Sequence, residues 1–254
     1  MRKVSMWLGA TALVAALAVP ASALAQPTVT LSPAPSVTGK LGGGATLTYT
    51  FTNSDPTAAL GVPAPGATFK AYEPAGLVYS QQFPTCPISK IENVKGPAVP
   101  ACPKASIVAT GHGTVEANLG GATPFTENSS ILNVYVVHNN PMELDFWNYG
   151  AQPVQNTFST VGTLTPYHGN PKYGYVLAGN FPVIATLPGD PNASITTLTL
   201  TFHGTTTVGS GKHKKTINEI TLPKKCASKT FSWGYDETFV DGTSAQATTT
   251  SACP

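Results

Sequence analysis

The chain has 254 residues with 14 Lys+Arg against 12 Asp+Glu, and only 10% of it is charged where about a quarter is usual; Thr, with 35 residues, fills much of the gap. That balance excludes a coiled coil, a charged disordered chain and an ordinary cytosolic helical enzyme. A single Arg, at position 2, and a formal net charge of +2 leave no basic field for nucleic acid.

In chain order, residues 1–25 carry a basic start (Arg2, Lys3), an apolar run from Trp7 to Val19, the breaker Pro20 and the small residues Ala21-Ser22-Ala23-Leu24-Ala25. This is the layout of an export signal cut after Ala25 or Ala23. The run is shorter than the ~20 residues of a comfortable membrane span, and no later segment is apolar enough to cross. The expectation is a secreted or cell-surface protein with no membrane span in the mature chain, whose 12 Lys then balance 12 acids.

Beyond the signal no segment repeats apolar residues at helical spacing, whereas period-two alternation is frequent. Residues Ala45 to Thr52 alternate strictly between apolar residues and Thr, Ile195 to Phe202 do so for most of their length, and Ile131 to Val137 are more continuously apolar. Further strands are expected at 28–31, 76–80, 106–117, 143–147, 173–177, 216–222, 230–240 and 243–250. Asp241-Gly242 between the last two is a hairpin signal, expected as a turn with positive φ at both residues. Short strands separated by Gly and Pro predict an all-β fold: a two-sheet antiparallel β-sandwich, immunoglobulin-like or jelly-roll-like. One domain over 26–254 is preferred to two halves meeting near 120–128.

The four cysteines, Cys86, Cys102, Cys226 and Cys253, all lie in the exported part, where paired thiols persist. Three connectivities are open. Nearest-neighbour pairing would staple the Pro-rich segment 83–103 and close the open end of the Asp241-Gly242 hairpin, each bridge worth about 3 to 4 kcal/mol in the chain-entropy model. No C-x2-C pair suggests zinc, and no histidine pair has a metal-ligand spacing, so neither metal nor cofactor is expected.

The segment Gln82-Phe83-Pro84-Thr85-Cys86-Pro87, the later Cys102-Pro103-Lys104-Ala105-Ser106 leading to Gly111-His112-Gly113, and the ending Cys226, Phe231-Ser232-Trp233, Phe239, Asp241-Gly242, Cys253 together resemble an uncharacterised group of secreted actinobacterial proteins. Those carry F-P-x-C, then C-P-x-x-S-x-x-G-x-G-like segments, and a Cys, D-G turn and Cys at the end. Ala109 stands where that pattern often has Gly. The resemblance implies export, an all-β fold and two local disulfides, and no reaction.

Three constellations suggest function. On a strand, Glu143 and Asp145 point to one face about 7 Å apart, and paired carboxylates are the machinery of glycoside hydrolysis. Their segment, Met142 to Asn148, resembles the E-x-D-x-x-E strand of laminarinase-type glycoside hydrolases. In that family the first Glu is the nucleophile, the Asp its support and the last Glu the acid/base; here position 148 is Asn, which cannot donate that proton. The aromatic group Trp147, Tyr149, Tyr167, Tyr173 and Tyr175 offers faces for sugar rings, against which stands ordinary core packing. Lys212, Lys214, Lys215, Lys224, Lys225 and Lys229 read as a solvated hairpin tip rather than a binding patch. Trp233 is expected to pack against a Cys226 disulfide. The function expected is a non-enzymatic extracellular module that binds or decorates a surface, wall or matrix. The alternatives are a carbohydrate-binding module for cell-wall or extracellular polysaccharide and a hydrolase built on Glu143 and Asp145.

Overall fold

A computed structural model describes residues 29–254, so the export signal expected over 1–25 lies outside the described residues. The strands are β1 (Thr30–Gly39), β2 (Ala45–Ser54), β3 (Gly66–Pro74), β4 (Val78–Tyr79), β5 (Ile107–Ala117), β6 (Phe125–Asn139), β7 (Met142–Gly150), β8 (Asn156–Pro166), β9 (Tyr173–Asn180), β10 (Ser194–Phe202), β11 (Thr205–Val208), β12 (Lys215–Asn218), β13 (Ile220–Thr221), β14 (Thr230–Phe239) and β15 (Ser244–Ala252). Eleven of them form one antiparallel sheet in the order β1-β2-β10-β5-β6-β7-β8-β9-β3-β14-β15; β11 pairs with β12, and β13 with β4. The edge strands β1 and β15 come alongside each other without ladder hydrogen bonds. The two facing layers of this all-β fold thus belong to one continuous sheet curled until its ends meet. The segment near 120–128 joins β5 to β6, and strands from both sides of it interleave in that sheet.

Alternation decides which residues enter the curl. On β2, Leu47 and Phe51 are buried while Thr52 is exposed, because successive side chains leave a strand on opposite faces. The imperfect alternation of β10 has a cause in a bulge: Thr196 is extra between Ile195 and Thr197 in the ladder with β5. Ile195 and Leu198 therefore both face the interior. β6 reads as continuously apolar because both of its faces are covered. Leu132, Val134 and Val136 join the interior core, while Tyr135, with Ile131 and Val137 against it, packs on the other side.

What covers that other side is the segment stapled by Cys86–Cys102, which carries a short helix α1 (Ser89–Glu92). Ile91 and Cys86 pack on Tyr135, Trp147 and Tyr149. The backbone N–H of Cys86 donates to the Val136 carbonyl at 2.8 Å, and Gly96 lies so flat on the Tyr149 ring that a Cβ there would fall 2.0 Å from it. The second disulfide, Cys226–Cys253, closes the β14–β15 hairpin. Trp233 is buried in the small apolar cluster that Cys253 borders, as expected, and donates from Nε1 to Ser251 Oγ at 2.9 Å. The hairpin turn differs from expectation: Gly242 alone has positive φ (84°), while Asp241 Oδ1 accepts from the N–H and hydroxyl of Thr243. The Asp side chain caps the turn, so only one left-handed residue is needed. Among the described residues no helix is long and apolar enough to cross a membrane.

Candidate functional site

The interior of the curl is not completely filled. A cavity of about 110 Å³ lies between the layers, with aromatic and aliphatic walls that include Phe69 and Ala71 of β3, Leu132 of β6, Phe146 of β7 and Leu200 of β10. Tyr235 of β14 closes one side, its ring 4.6 Å from Phe51 and 6.5 Å from Tyr49, both on β2. Polar groups reach the cavity at few points. Ser129 and Asn148 bond to each other and Ser129 accepts the Gly113 N–H at 3.1 Å, so their demands are met.

Glu73 is different. On β3 it continues the inward phase of Phe69 and Ala71, so the geometry that buries those residues also buries a carboxyl. It is 7% exposed and lines the cavity, and Oε2 has no hydrogen-bond partner. Burial pushes its pKa up to about 7, against a hydrogen bond from the Tyr79 hydroxyl that favours the charged form. The Tyr49 hydroxyl, also on the cavity wall, is buried without a partner; burial first, then the charges of Glu73 and Glu237, raise its pKa. Glu237 occupies the equivalent inward phase on β14 after Trp233 and Tyr235, is 3% exposed, and is pushed up to about 8 by burial against an opposing bond from Tyr235. Asn53 Nδ2 donates to its Oε1 at 3.5 Å, and Oε2 is unpartnered. An unmet buried acceptor costs about 1–3 kcal/mol, more when charged, so this interior carries unmet polar demand beside open volume.

The residues singled out in the sequence lie elsewhere. Glu143 and Asp145 do share a face of β7, as alternation requires, but it is the outward face beneath the stapled segment. Asp145 is 0% exposed with both oxygens unpartnered, and no sugar ring can reach it. Burial, then the charge of Glu92, raise its pKa to about 7, while nearby Ser159 opposes the shift without meeting hydrogen-bond geometry. The open cleft that the hydrolase reading needs is absent at this pair. Trp147 and Tyr149, 1% and 4% exposed, are corrected from stacking faces to core: the stapled segment seals the sheet face that displays them.

Tyr167 and Tyr173 are half-buried and do form an outward aromatic group, completed by Tyr72 of β3. The Tyr72 ring stands 5.3 Å from Tyr173 at 32° and 5.1 Å from Tyr167 at 69°, and its hydroxyl donates to Asp236 Oδ2 at 2.8 Å. Tyr175 is separate, edge-on to Tyr79 at 5.1 Å. Lys212 and Lys214 lie in the exposed loop of the β11–β12 hairpin.

A further buried acid, Glu219, lies 3.9 Å from His203 Nδ1 with both oxygens otherwise unpartnered; burial lifts it to about 8. Among the described residues no group of three His, Cys, Asp or Glu side chains is placed to hold a metal ion.

The inward acids escaped sequence reasoning, although a signal for them exists. In Phe69-x-Ala71-x-Glu73 and Trp233-x-Tyr235-x-Glu237-x-Phe239 an acid stands in phase with apolar residues on a strand, which marks a buried carboxyl. No protein-family model matches the chain, and neither a curated protein nor a solved structure matches it significantly.

Proposed function

We propose that this chain is an exported, non-enzymatic binding protein that holds a small apolar molecule inside its curled sheet. The observation that carries the reading is the 110 Å³ cavity with its largely apolar walls. A dry cavity of about 150 Å³ takes up benzene, so this smaller volume suits a guest no larger than one small ring. The cavity walls offer no His, Lys or Cys, and their one Ser is engaged by Asn148, which favours holding a molecule over transforming it. Export is supported by the pattern of residues 1–25 and by two disulfides, bonds that persist in oxidising compartments.

Titration calorimetry of the disulfide-bonded protein with toluene tests this: saturable one-to-one binding is expected, lost in Leu132→Trp, whose larger side chain occupies the space. Heats that never saturate would sink the reading.

A second reading, recognition of cell-wall or extracellular polysaccharide, is favoured by the half-exposed rings of Tyr72, Tyr167 and Tyr173, since a tyrosine face is apolar while its hydroxyl bonds sugars. Retardation in polysaccharide-containing gels, abolished in Tyr173→Ala, is its expected signature. Unretarded wild-type protein in all such gels ends it.

A further inference from the structure

We infer that the molecule held in the interior carries a basic nitrogen, bound as an ammonium by Glu73 Oε2 with Tyr49 beside it. This rests on the interior-binding reading above and adds the chemical class of the guest.

Three observations point to a cation rather than to a purely apolar or anionic guest. First, Glu73 is more than nine-tenths buried and lines the cavity with one oxygen bonded to nothing, so a hydrogen-bond donor is the missing partner. Second, among the described residues no cation supplies it. The titratable groups packed around Glu73 are Tyr79 on β4, Tyr175 opposite Glu73 on β9 and Tyr49 on β2, with Tyr235 and the acid Glu237 of β14 further along, opposite Ala71 and Phe69. These are acids and phenols, and Lys70 of β3 lies in the opposite, exposed phase. Third, the cavity walls are rich in aromatic rings, among them Phe51, Phe69, Phe146 and Tyr235, and aromatic faces attract a cation.

An ammonium meets each demand at once. One N–H donates to Glu73 Oε2, another reaches the unpartnered Tyr49 oxygen, and the positive charge offsets the carboxylate. A carboxylate guest would instead place a second negative charge beside Glu73. The apolar part of such a guest is limited to about one ring by the volume.

Binding is then linked to protons. Glu73, lifted to about 7, is protonated in the empty protein below that pH and must lose the proton to receive a cation. Affinity for an amine therefore rises as pH rises through the range up to about 7 and levels off above it, with uptake within that range releasing a proton to buffer.

The experiment is calorimetry on the disulfide-bonded protein with four probes of one size: benzylamine, benzyl alcohol, benzoate and toluene. At about pH 8 benzylamine should bind at least about tenfold more tightly than the other three, and its advantage should shrink about tenfold or more toward pH 5 while toluene stays unchanged. Glu73→Gln should erase the amine's advantage over toluene and its pH dependence. Should that variant fail to fold, wild-type titrations at about pH 6 in buffers of different ionisation enthalpy report the same proton release. Equal affinity for toluene and benzylamine, or an amine affinity independent of pH, overturns the ammonium assignment and leaves the interior site standing. If none of the four binds saturably, the interior site itself is refuted.

Discussion

Glu73 on the inward face of β3 and Asp145 on the outward face of β7 are both sealed from water, and burial pushes both carboxyls up to about 7. Their surroundings differ in one respect. Glu73 borders open volume, whereas Asp145 is pressed between the sheet and the Cys86–Cys102 segment, beside Trp147 and Tyr149. A perturbed carboxyl thus reports burial in either place, and only the space next to it makes one of them a binding site. The same contrast holds for the aromatics: Trp147 secures a cover to the sheet, and Tyr167 faces outward.

The largest expected effect tests the covered face. Trp147→Ala should cost about 3–5 kcal/mol in denaturant unfolding, the usual range for deleting a buried large aromatic. A loss within the surface range of about 0.5 kcal/mol would mean that the stapled segment does not pack on Trp147.

Removing the staple sharpens the contrast further. Cys86→Ala with Cys102→Ala should cost about 3 kcal/mol and, by admitting water, bring Asp145 back toward the ordinary carboxylate range. Glu73, on the far face of the sheet, should keep its raised pKa, which carboxyl NMR titration would read for both groups. Equal response of the two acids would break the distinction between the faces.

A smaller effect follows from pH. Asp145 rises from 3.8 to about 7 on folding and Glu73 from 4.5 to about 7, so between those limits the native state binds more protons than the unfolded chain. Stability is therefore fully present at pH below the unfolded values and falls as pH rises toward 7. Asp145→Asn should remove its share of that slope, at most about 1.4 kcal/mol per pH unit, in urea midpoints measured from acid to neutral pH. An unchanged slope would show that Asp145 is hydrated. The smallest effect belongs to the half-exposed aromatics: Tyr167→Ala should leave stability within about 0.5 kcal/mol while reducing any polysaccharide retention.

Much of the architecture was legible because alternation is a local property. The strands 45–52 and 195–202 were found where Thr and apolar residues trade places, and the hairpin at Asp241-Gly242 stands at its predicted position. β3 and β8 were not. β3 has an acid and a lysine inside its pattern, and β8, Asn156 to Pro166, has Gly162 and few large apolar residues to mark an inward face. Missing β3 meant missing Glu73, and with it the candidate site. Glu143, Asp145, Trp147 and Tyr149 attracted attention because their spacing is visible along the chain, whereas the cover over them comes from residues some fifty positions earlier, brought there by the fold.

By itself, the amino-acid order determined that this chain forms short antiparallel strands with one apolar face each, joined by Gly and Pro turns, and that its cysteines stand where neighbouring bridges can close. Period-two patterning and turn chemistry act over a handful of residues and need no distant partner. Only the tertiary structure decided that the strands make one sheet curled end to end, that its outward face at β7 is covered, and that Glu73 meets a cavity while Asp145 does not. Those outcomes depend on which distant strands pair and on how completely opposing side chains fill the space between them, and neither is written in any local pattern.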